Sequence, residues 1–175
     1  VKDMSREDIE FFNSLYTKIL ENKNGLKIRL QTYFGDVRDC YKEICALDFD
    51  GIGLDFIEGK KTHELIEKNG FPRDKVLFAG VVNGKNIWKN NYKKTVELLK
   101  NLQNKSINTV INTSCSLLHI PYTLKNEVKL SDTYKKHFSY ASEKLVELNE
   151  IKKIIETEDY CNLPEYTANI KLFSE

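Results

Sequence analysis

The segment from Val76 to Thr113, VLFAGVVNGKNIWKNNYKKTVELLKNLQNKSINTVINT, decides the fold because it contains a complete strand, helix, strand repeat. Residues 76–82 and 107–113 are short runs of β-favouring residues, and the apolar positions of residues 92–102 between them have helical spacing. A connection of this length that contains a helix is typical of two parallel strands joined by a right-handed crossover. The segment therefore predicts a βαβ unit.

The same alternation continues on both sides of this segment. The other predicted strands are residues 26–34 and 51–56, and the other predicted helices are residues 5–22, 37–47, 60–68 and 131–156. The last helix has one long apolar stripe: Tyr134, Phe138, Ala141, Leu145, Leu148, Ile151 and Ile155. The predicted fold class is therefore α/β, with four parallel βα units, a preceding helix and a long C-terminal helix.

Four parallel strands are compatible with an open doubly wound sheet or with half of a (β/α)8 TIM-like barrel. A half barrel would leave two sheet edges unpaired, so we expect them to be covered by the remaining barrel strands or by a second copy of the chain. Residues 1–156 are predicted to form the partial barrel. Residues 157–175 have no strong period and are predicted to be a tail or the start of an interdomain linker.

Composition limits the classes of partner. The 175 residues are enough for one domain, and 27 Lys and Arg against 26 Asp and Glu give no global field that favours nucleic acid or an anionic membrane. There is no apolar run of the ~20 residues that cross a bilayer. The four cysteines are scattered, as is typical of reduced thiols, so a cytoplasmic protein is expected. The first residue is Val1 instead of an initiator Met, which suggests a fragment, although a mature chain numbered from its own first residue would look the same.

Polar side chains follow the predicted strands, where the loops of a parallel sheet converge on ligands. Thr32, Tyr33 and Asp36 follow the first strand, and Cys115 follows the fourth. The candidates for binding substrate or lining a cleft are Asp55, Asn83, Asn86, Ser114, Ser116 and His119.

Four strand-end segments carry a family resemblance: TYFGDV (residues 32–37), GIGLD (51–55), GVVNGKNIW (80–88) and NTSCSLLHIP (112–121). In order and spacing they resemble the last four strand ends of the N-terminal barrel of cobalamin-independent methionine synthase, and the resemblance covers residues 26–156. It implies UROD/methionine-synthase-like architecture and a parent of two barrels. The segments of residues 80–88 and 112–121 together are the specific part of the match.

The resemblance implies that the parent transfers a methyl group from a 5-methyltetrahydrofolate polyglutamate, held between the barrels, to homocysteine. Zinc, the parent's cofactor, and homocysteine would be bound by the C-terminal barrel, which this chain lacks. We therefore expect no cofactor and no catalytic residue here, and no activity of this chain alone. The alternative is a free-standing βα domain that binds a small ligand or a partner subunit without catalysis.

A metal site in this chain is not expected. Thr32, Tyr33 and Phe34 stand where the resemblance implies a His-x-Cys zinc pair, and only Asp55 and Cys115 stand near the positions of the other ligands. Zinc sites use three or four protein ligands.

Each candidate also has a structural interpretation. Asp55 is as suited to orienting a loop or capping a helix as to contacting ligand. Ser114 and Ser116 are favoured as caps for the segment at Leu117 and Leu118, and His119 as a structural or interdomain contact.

Two further interpretations concern Cys115 and Trp88, the single tryptophan of the chain. Cys115 is favoured as a buried thiol over a nucleophile paired with His119. Ile87 and Trp88 are expected to pack under the turn at Asn83 to Asn86.

Overall fold

The fold is a single four-stranded parallel sheet with strand order β1-β2-β3-β4, and it confirms the predicted fold class. The computed structural model describes residues 3–174; Val1, Lys2 and Glu175, the outer ends of the two predicted segments, lie outside the described residues. The strands are β1 (Arg29–Gln31), β2 (Gly51–Asp55), β3 (Val76–Val82) and β4 (Thr109–Thr113). An α/β fold with consecutive parallel neighbours is consistent with half a TIM barrel.

Helices alternate with these strands. They are α1 (Arg6–Glu21), α2 (Tyr41–Ala46), α3 (Thr62–Asn69), α4 (Tyr92–Asn104), α5 (Asp132–Lys135), α6 (Ala141–Glu156) and α7 (Pro164–Leu172). Single 3₁₀ turns occur at Leu117–His119, Leu124–Asn126 and Tyr160–Asn162. Ser5 is the N-cap of α1 and forms the predicted capping box, in which Ser5 and Asp8 bond each other's backbone N–H.

One face of the sheet is buried under helices. The strands pair in register, so residues that pair point to the same side: Leu30 beside Ile52 and Ile52 beside Leu77. Ile52 and Leu77 are fully buried and share one core with apolar residues of the helices. This continuous apolar face explains why helices cover it.

The opposite face has glycines where side chains would crowd. Gly53 lies beside Gln31, and Gly80 lies beside Asn112 on the fourth strand. The side chains of Gln31 and Asn112 meet over this face, so it is the concave face of a curved sheet. On the same face Asp55 pairs with Gly80 at the strand ends.

The predicted helix over residues 131–156 is wrong as a single element. The chain leaves α5 after Lys135 and starts α6 only after Tyr140, whose N–H bonds Oε2 of Glu143. Between them Phe138 forms an antiparallel bridge with Trp88, so the backbone there pairs with the loop after β3 instead of continuing the helix. The stripe is also broken, because 53% of Leu145 is exposed.

Other element boundaries differ from the prediction. β1 covers only Arg29–Gln31 of the predicted residues 26–34, and α2 starts at Tyr41. Part of the segment predicted to be a tail forms α7, which starts with Pro164 as its first residue. A domain boundary at residue 156 stays a prediction.

Within residues 3–174, none of the helices combines the length and the apolar character needed to cross a lipid bilayer.

Candidate functional site

The carboxyl ends of the strands form one rim. Asp55 ends β2, and the segments that follow β3 and β4 carry the other candidate residues. The rim is the edge where loops of a parallel sheet converge. Four features decide what it can do: the Asp55 carboxylate, the loop after β3, the turn after β4 and a cluster of aromatic rings.

Asp55 is 1% exposed at the end of β2. Its Oδ1 atom accepts hydrogen bonds from the N–H groups of Ile57 (2.7 Å) and Glu58 (2.9 Å), and its carbonyl accepts one from the Thr62 hydroxyl (2.7 Å). The interpretation as a residue that orients its loop is therefore confirmed. Its second oxygen, Oδ2, is buried and has no hydrogen-bond partner among residues 3–174, so it can accept one further bond.

A second carboxylate, Asp36, holds the loop after β1. The Arg38 guanidinium donates to both of its oxygens at 2.6 and 2.8 Å, and the Lys61 N–H donates to Oδ2 at 3.2 Å. The hydrogen bonds from Arg38 lower the pKa of Asp36, against the opposing effect of burial. The loops after β1 and β2 are thus joined through one ionised carboxylate.

The loop after β3 is organised by its own asparagines. Oδ1 of Asn83 accepts from the N–H groups of Lys85 (2.8 Å) and Asn86 (3.0 Å), and Oδ1 of Asn86 accepts from the Trp88 N–H (3.1 Å). Both amide oxygens are therefore engaged within the loop, and each side chain also carries an NH₂ group of the kind that can donate hydrogen bonds to a ligand. Trp88 is 57% exposed, so the expectation that it packs under this turn is wrong.

This loop also contacts the turn after β4. The Gly84 N–H donates to the Ser114 hydroxyl at 3.3 Å, and a β-carbon at Gly84 would lie 2.4 Å from the Cys115 carbonyl. Only glycine permits this approach. Ser114 therefore fixes the loop after β3. The expectation that Ser114 caps the next turn is wrong.

Ser116 caps the next turn, as predicted, by accepting a hydrogen bond from the Leu118 N–H at 3.3 Å. Cys115 is 2% exposed; its thiol lies 3.7 Å from the Ser116 carbonyl, and burial raises the pKa of Cys115. His119 is exposed and packs edge-on against the Phe34 ring, with 5.5 Å between ring centroids. Cys115 and His119 thus have different surroundings, and the buried-thiol interpretation of Cys115 is confirmed.

The aromatic rim cluster consists of Tyr33, Phe34 and His119 together with Lys85 and Glu58. The Phe34 ring contacts Tyr33 in a tilted arrangement and His119 edge-on. The Lys85 ammonium lies 5.1 Å from the Phe34 ring centroid and 3.0 Å from a Glu58 oxygen. Phe34 has φ of 61°, a left-handed conformation that is uncommon outside glycine and marks constrained loops. The cluster offers flat apolar surface beside charge, which suits a planar ligand with polar edges.

Sequence reasoning missed three members of this cluster: Phe34, Glu58 and Lys85. Lys85 lies inside the GVVNGKNIW segment and Phe34 inside TYFGDV, so both were within quoted motifs. Their mutual contact joins loops from three different strands, and no local pattern encodes it.

The donor set at the rim does not fit zinc. Among residues 3–174 no three His, Cys, Asp or Glu residues come together as a metal site. Asp55 uses Oδ1 for its own loop, and Cys115 has a raised pKa, whereas zinc binds a thiolate. No chemical step is therefore assigned to a metal held by this chain.

Comparison with known proteins agrees with the resemblance of the strand-end segments. Residues 1–107 match the family described as "Cobalamin-independent synthase, N-terminal domain". A 5-methyltetrahydropteroyltriglutamate–homocysteine methyltransferase of Lactococcus lactis subsp. cremoris is 59% identical over 154 residues, which are 88% of this chain and 20% of the relative. The protein of the same name from Campylobacter jejuni is 50% identical over 173 residues, 99% of this chain and 23% of the relative. The chain thus spans about a fifth of the length of these relatives.

Proposed function

Since the chain belongs to the cobalamin-independent methionine synthase family, we propose that it forms part of the N-terminal barrel of an enzyme that makes methionine. The reaction would move the methyl group of 5-methyltetrahydropteroyltriglutamate to homocysteine, the two compounds in the relatives' name. The observation that carries the proposal is high identity over nearly the whole chain, at a segment that contains all four strand ends.

The proposed role of this chain is to line the cleft that holds the folate. The aromatic rim cluster supports this role because Phe34 and His119 present ring surface and Lys85 presents positive charge beside it. A pterin ring is planar, and the glutamates of the folate are anionic. Asp55 adds Oδ2, a buried acceptor that has no hydrogen-bond partner among residues 3–174.

Zinc and homocysteine are proposed to be bound by another part of the parent protein. Zinc there would hold the homocysteine sulfur as a thiolate, the nucleophilic form, near neutral pH. Because the rim of this chain does not fit zinc, we expect the chain alone to be inactive in methyl transfer and to have no catalytic residue of its own.

The open edges of the sheet support a partner that completes the barrel. Beside β1, helix α1 exposes an apolar stripe of Phe11, Leu15 and Ile19, and beside β4 an apolar groove of about 520 Å³ is lined by Val110 and Leu148 among others. Exposed apolar surface next to unpaired strand edges is what a missing neighbour would cover.

The remaining barrel strands are favoured over a second copy of this chain as that neighbour. α1 and Leu30 of β1 belong to one apolar core, and α6 contacts β4 at the other edge. If two copies closed one barrel, α1 of one copy and α6 of the other would meet in each seam. A barrel has room for one helix per strand at its outside.

A protein of this kind is proposed to work in the cytoplasm. The four cysteines are free, which fits a reducing compartment.

A chimera tests the proposal. The corresponding fifth of the Lactococcus relative is replaced by this chain, and methionine formation from 5-methyltetrahydropteroyltriglutamate and homocysteine is measured with zinc content. We expect an active chimera, and His119→Ala or Asp55→Ala within it should raise KM for the folate without loss of zinc. An inactive but folded chimera would favour the alternative, a free-standing ligand-binding domain; zinc loss in either variant would contradict the assigned division of roles.

A further inference from the structure

A buried polar network lies behind the loop that joins β3 to α4, residues 83–91, called here the β3–α4 loop. Its centre is Asn90, which is 9% exposed and bonds through all of its polar groups. Its side chain donates to the Val81 carbonyl (2.8 Å) and accepts from the Thr95 hydroxyl (2.7 Å). These two bonds tie the end of the loop to β3 and α4, the elements that it connects.

The backbone of Asn90 is held by two distant helices. Its N–H donates to Oε1 of Glu147 on α6 at 3.0 Å, and its carbonyl accepts from the side-chain NH₂ of Asn169 on α7 at 2.9 Å. Asn169 also accepts the Tyr92 N–H at 2.9 Å. Both partners are separated from the loop by more than fifty residues of sequence, so the contact is purely tertiary.

A second contact between α6 and the loop lies one helical turn before Glu147. Lys144 is fully buried, and its ammonium donates to the Trp88 carbonyl at 2.9 Å. Burial lowers the pKa of Lys144 and raises that of Glu147, while each charge partly opposes the shift of the other. Burying such groups costs free energy, so a purely stabilising role would be served better by apolar residues.

The other end of the β3–α4 loop lies at the rim. There Lys85 contacts Glu58 and Phe34, and Gly84 contacts Ser114. The loop therefore has one end at the aromatic rim cluster and one end in the network. A displacement of Asn90 would be transmitted along a short connection to Lys85.

We propose that Glu147 and Asn169 are positioning residues, which fix Asn90 so that the β3–α4 loop presents Lys85 and Gly84 at the rim. Neither residue touches the rim. The assignment of the rim to folate binding rests on the proposed function, but the positioning of the loop does not. α7, beyond the predicted barrel boundary, thereby takes part in shaping the cleft.

Hydrogen exchange of the full chain tests the proposal through paired variants. Glu147→Gln keeps an oxygen that accepts the Asn90 N–H, whereas Glu147→Leu has similar size and no acceptor. We expect Glu147→Leu to speed exchange of the amides in residues 85–92 by about tenfold or more relative to α1, and Glu147→Gln to restore slow exchange. Val146→Ala, at a 53% exposed position on the same helix, is the matched control and should leave the loop unchanged.

Asn169→Ala gives an independent variant on α7, with Ala168→Ser as its exposed control. It should speed exchange in the same residues 85–92, because it removes the bonds to Asn90 and Tyr92. Unchanged loop exchange in both Glu147→Leu and Asn169→Ala would overturn the proposal. Uniformly faster exchange throughout the chain in every variant would overturn it too, because the residues would then be general stabilisers.

The affinity of the chimera for 5-methyltetrahydropteroyltriglutamate separates this proposal from the proposed function. Weaker binding in Glu147→Leu with binding restored in Glu147→Gln supports both. Fast loop exchange with unchanged folate affinity would support the positioning of the loop and contradict the assignment of the rim to folate.

Discussion

The side-chain NH₂ of Asn112, on β4, donates a hydrogen bond to Oε1 of Gln31, on β1, at 3.2 Å. Between them lie β2 and β3, and in a flat sheet three strand spacings would separate the two backbones by about 14 Å. The two side chains can meet only because the sheet is strongly curved and glycines at positions 53 and 80 leave the concave face open. Curvature of this kind is what a barrel requires.

The glycines on the concave face should differ in their tolerance of a methyl group. At Gly53 a β-carbon would lie 2.2 Å from Oε1 of Gln31, the far end of a flexible side chain, whereas at Gly80 it would lie 2.8 Å from the Cα of Ser114. We expect Gly53→Ala to cost about 1 kcal/mol, through loss of the bond to Asn112, and Gly80→Ala about 2–3 kcal/mol. Urea unfolding of both variants measures the difference, and equal costs would show that the flexible Gln31 side chain yields no more easily than the backbone near Gly80.

Replacing Asp55 by Asn and by Ala should distinguish the role of its acceptor oxygen from the role of its charge. Asn keeps an oxygen that accepts from Ile57 and Glu58, while Ala removes it and leaves both N–H groups without that partner. We expect Asp55→Ala to lower the free energy of unfolding by about 1–3 kcal/mol and Asp55→Asn by clearly less. Thermal unfolding of the two variants checks this; equal losses would show that the charge of Asp55, and not its acceptor atom, holds the loop.

Long regular elements were predictable from the sequence, and tertiary contacts were not. β3 was predicted residue for residue and α1 within one residue, because a continuous apolar run and a capping box are local signals. The length of β1 was overestimated, because the strand-like residues at 26–28 and 32–34 lie outside the run that pairs with β2. α6 was extended too far, because the bridge between Trp88 and Phe138 is invisible to periodicity.

The sequence predicted where the candidate residues lie, but not which side chains from different elements contact each other there. Strand ends pointed to Asp55, Asn83 and Ser114, which do lie at the rim. The contact of Lys85 with Phe34 and the network around Asn90 depend on side chains from separate elements. Spacing along one chain carries no information about such contacts.

The apolar positions of α6 should now divide into buried and exposed classes. Ile151 is fully buried, whereas Leu145 is 53% exposed, although both belong to the predicted stripe. We expect Ile151→Ala to cost about 3 kcal/mol through a core cavity, and Leu145→Ala to change stability by no more than about 0.5 kcal/mol. Urea unfolding again provides the measurement. A large cost at Leu145 would mean that another surface covers it in solution.

The ion pair between Asp36 and Arg38 should make stability depend on pH in the acid range. Hydrogen bonds from Arg38 lower the pKa of Asp36 in the folded chain below the value of about 3.9 for an unfolded chain. The folded state therefore gains stability above that value and loses it as the pH falls through the folded pKa. Arg38→Met should lower the unfolding free energy at pH 7 and reduce its difference between pH 7 and pH 3.

The control for this pair is Arg6→Met. Arg6 forms an ion pair with Glu10, but its side chain is 92% exposed, so we expect almost no effect on the same pH difference. A pH difference in Arg38→Met identical to that of the unchanged chain would show that Arg38 does not hold Asp36 in solution.

The cysteines should react with alkylating agents in an order set by burial. Cys161 is exposed, whereas Cys115 is 2% exposed, and burial raises the pKa of Cys115. Burial also raises the pKa of Cys40, in that case to about 11. Because the thiolate is the reactive form, iodoacetamide at pH 8 should label Cys161 first and Cys115 only after unfolding. Peptide mapping by mass spectrometry, with Cys161→Ser as control, follows each site. If Cys115 in the folded chain were labelled as fast as Cys161, the buried-thiol interpretation would fail and a nucleophilic role beside His119 would regain support.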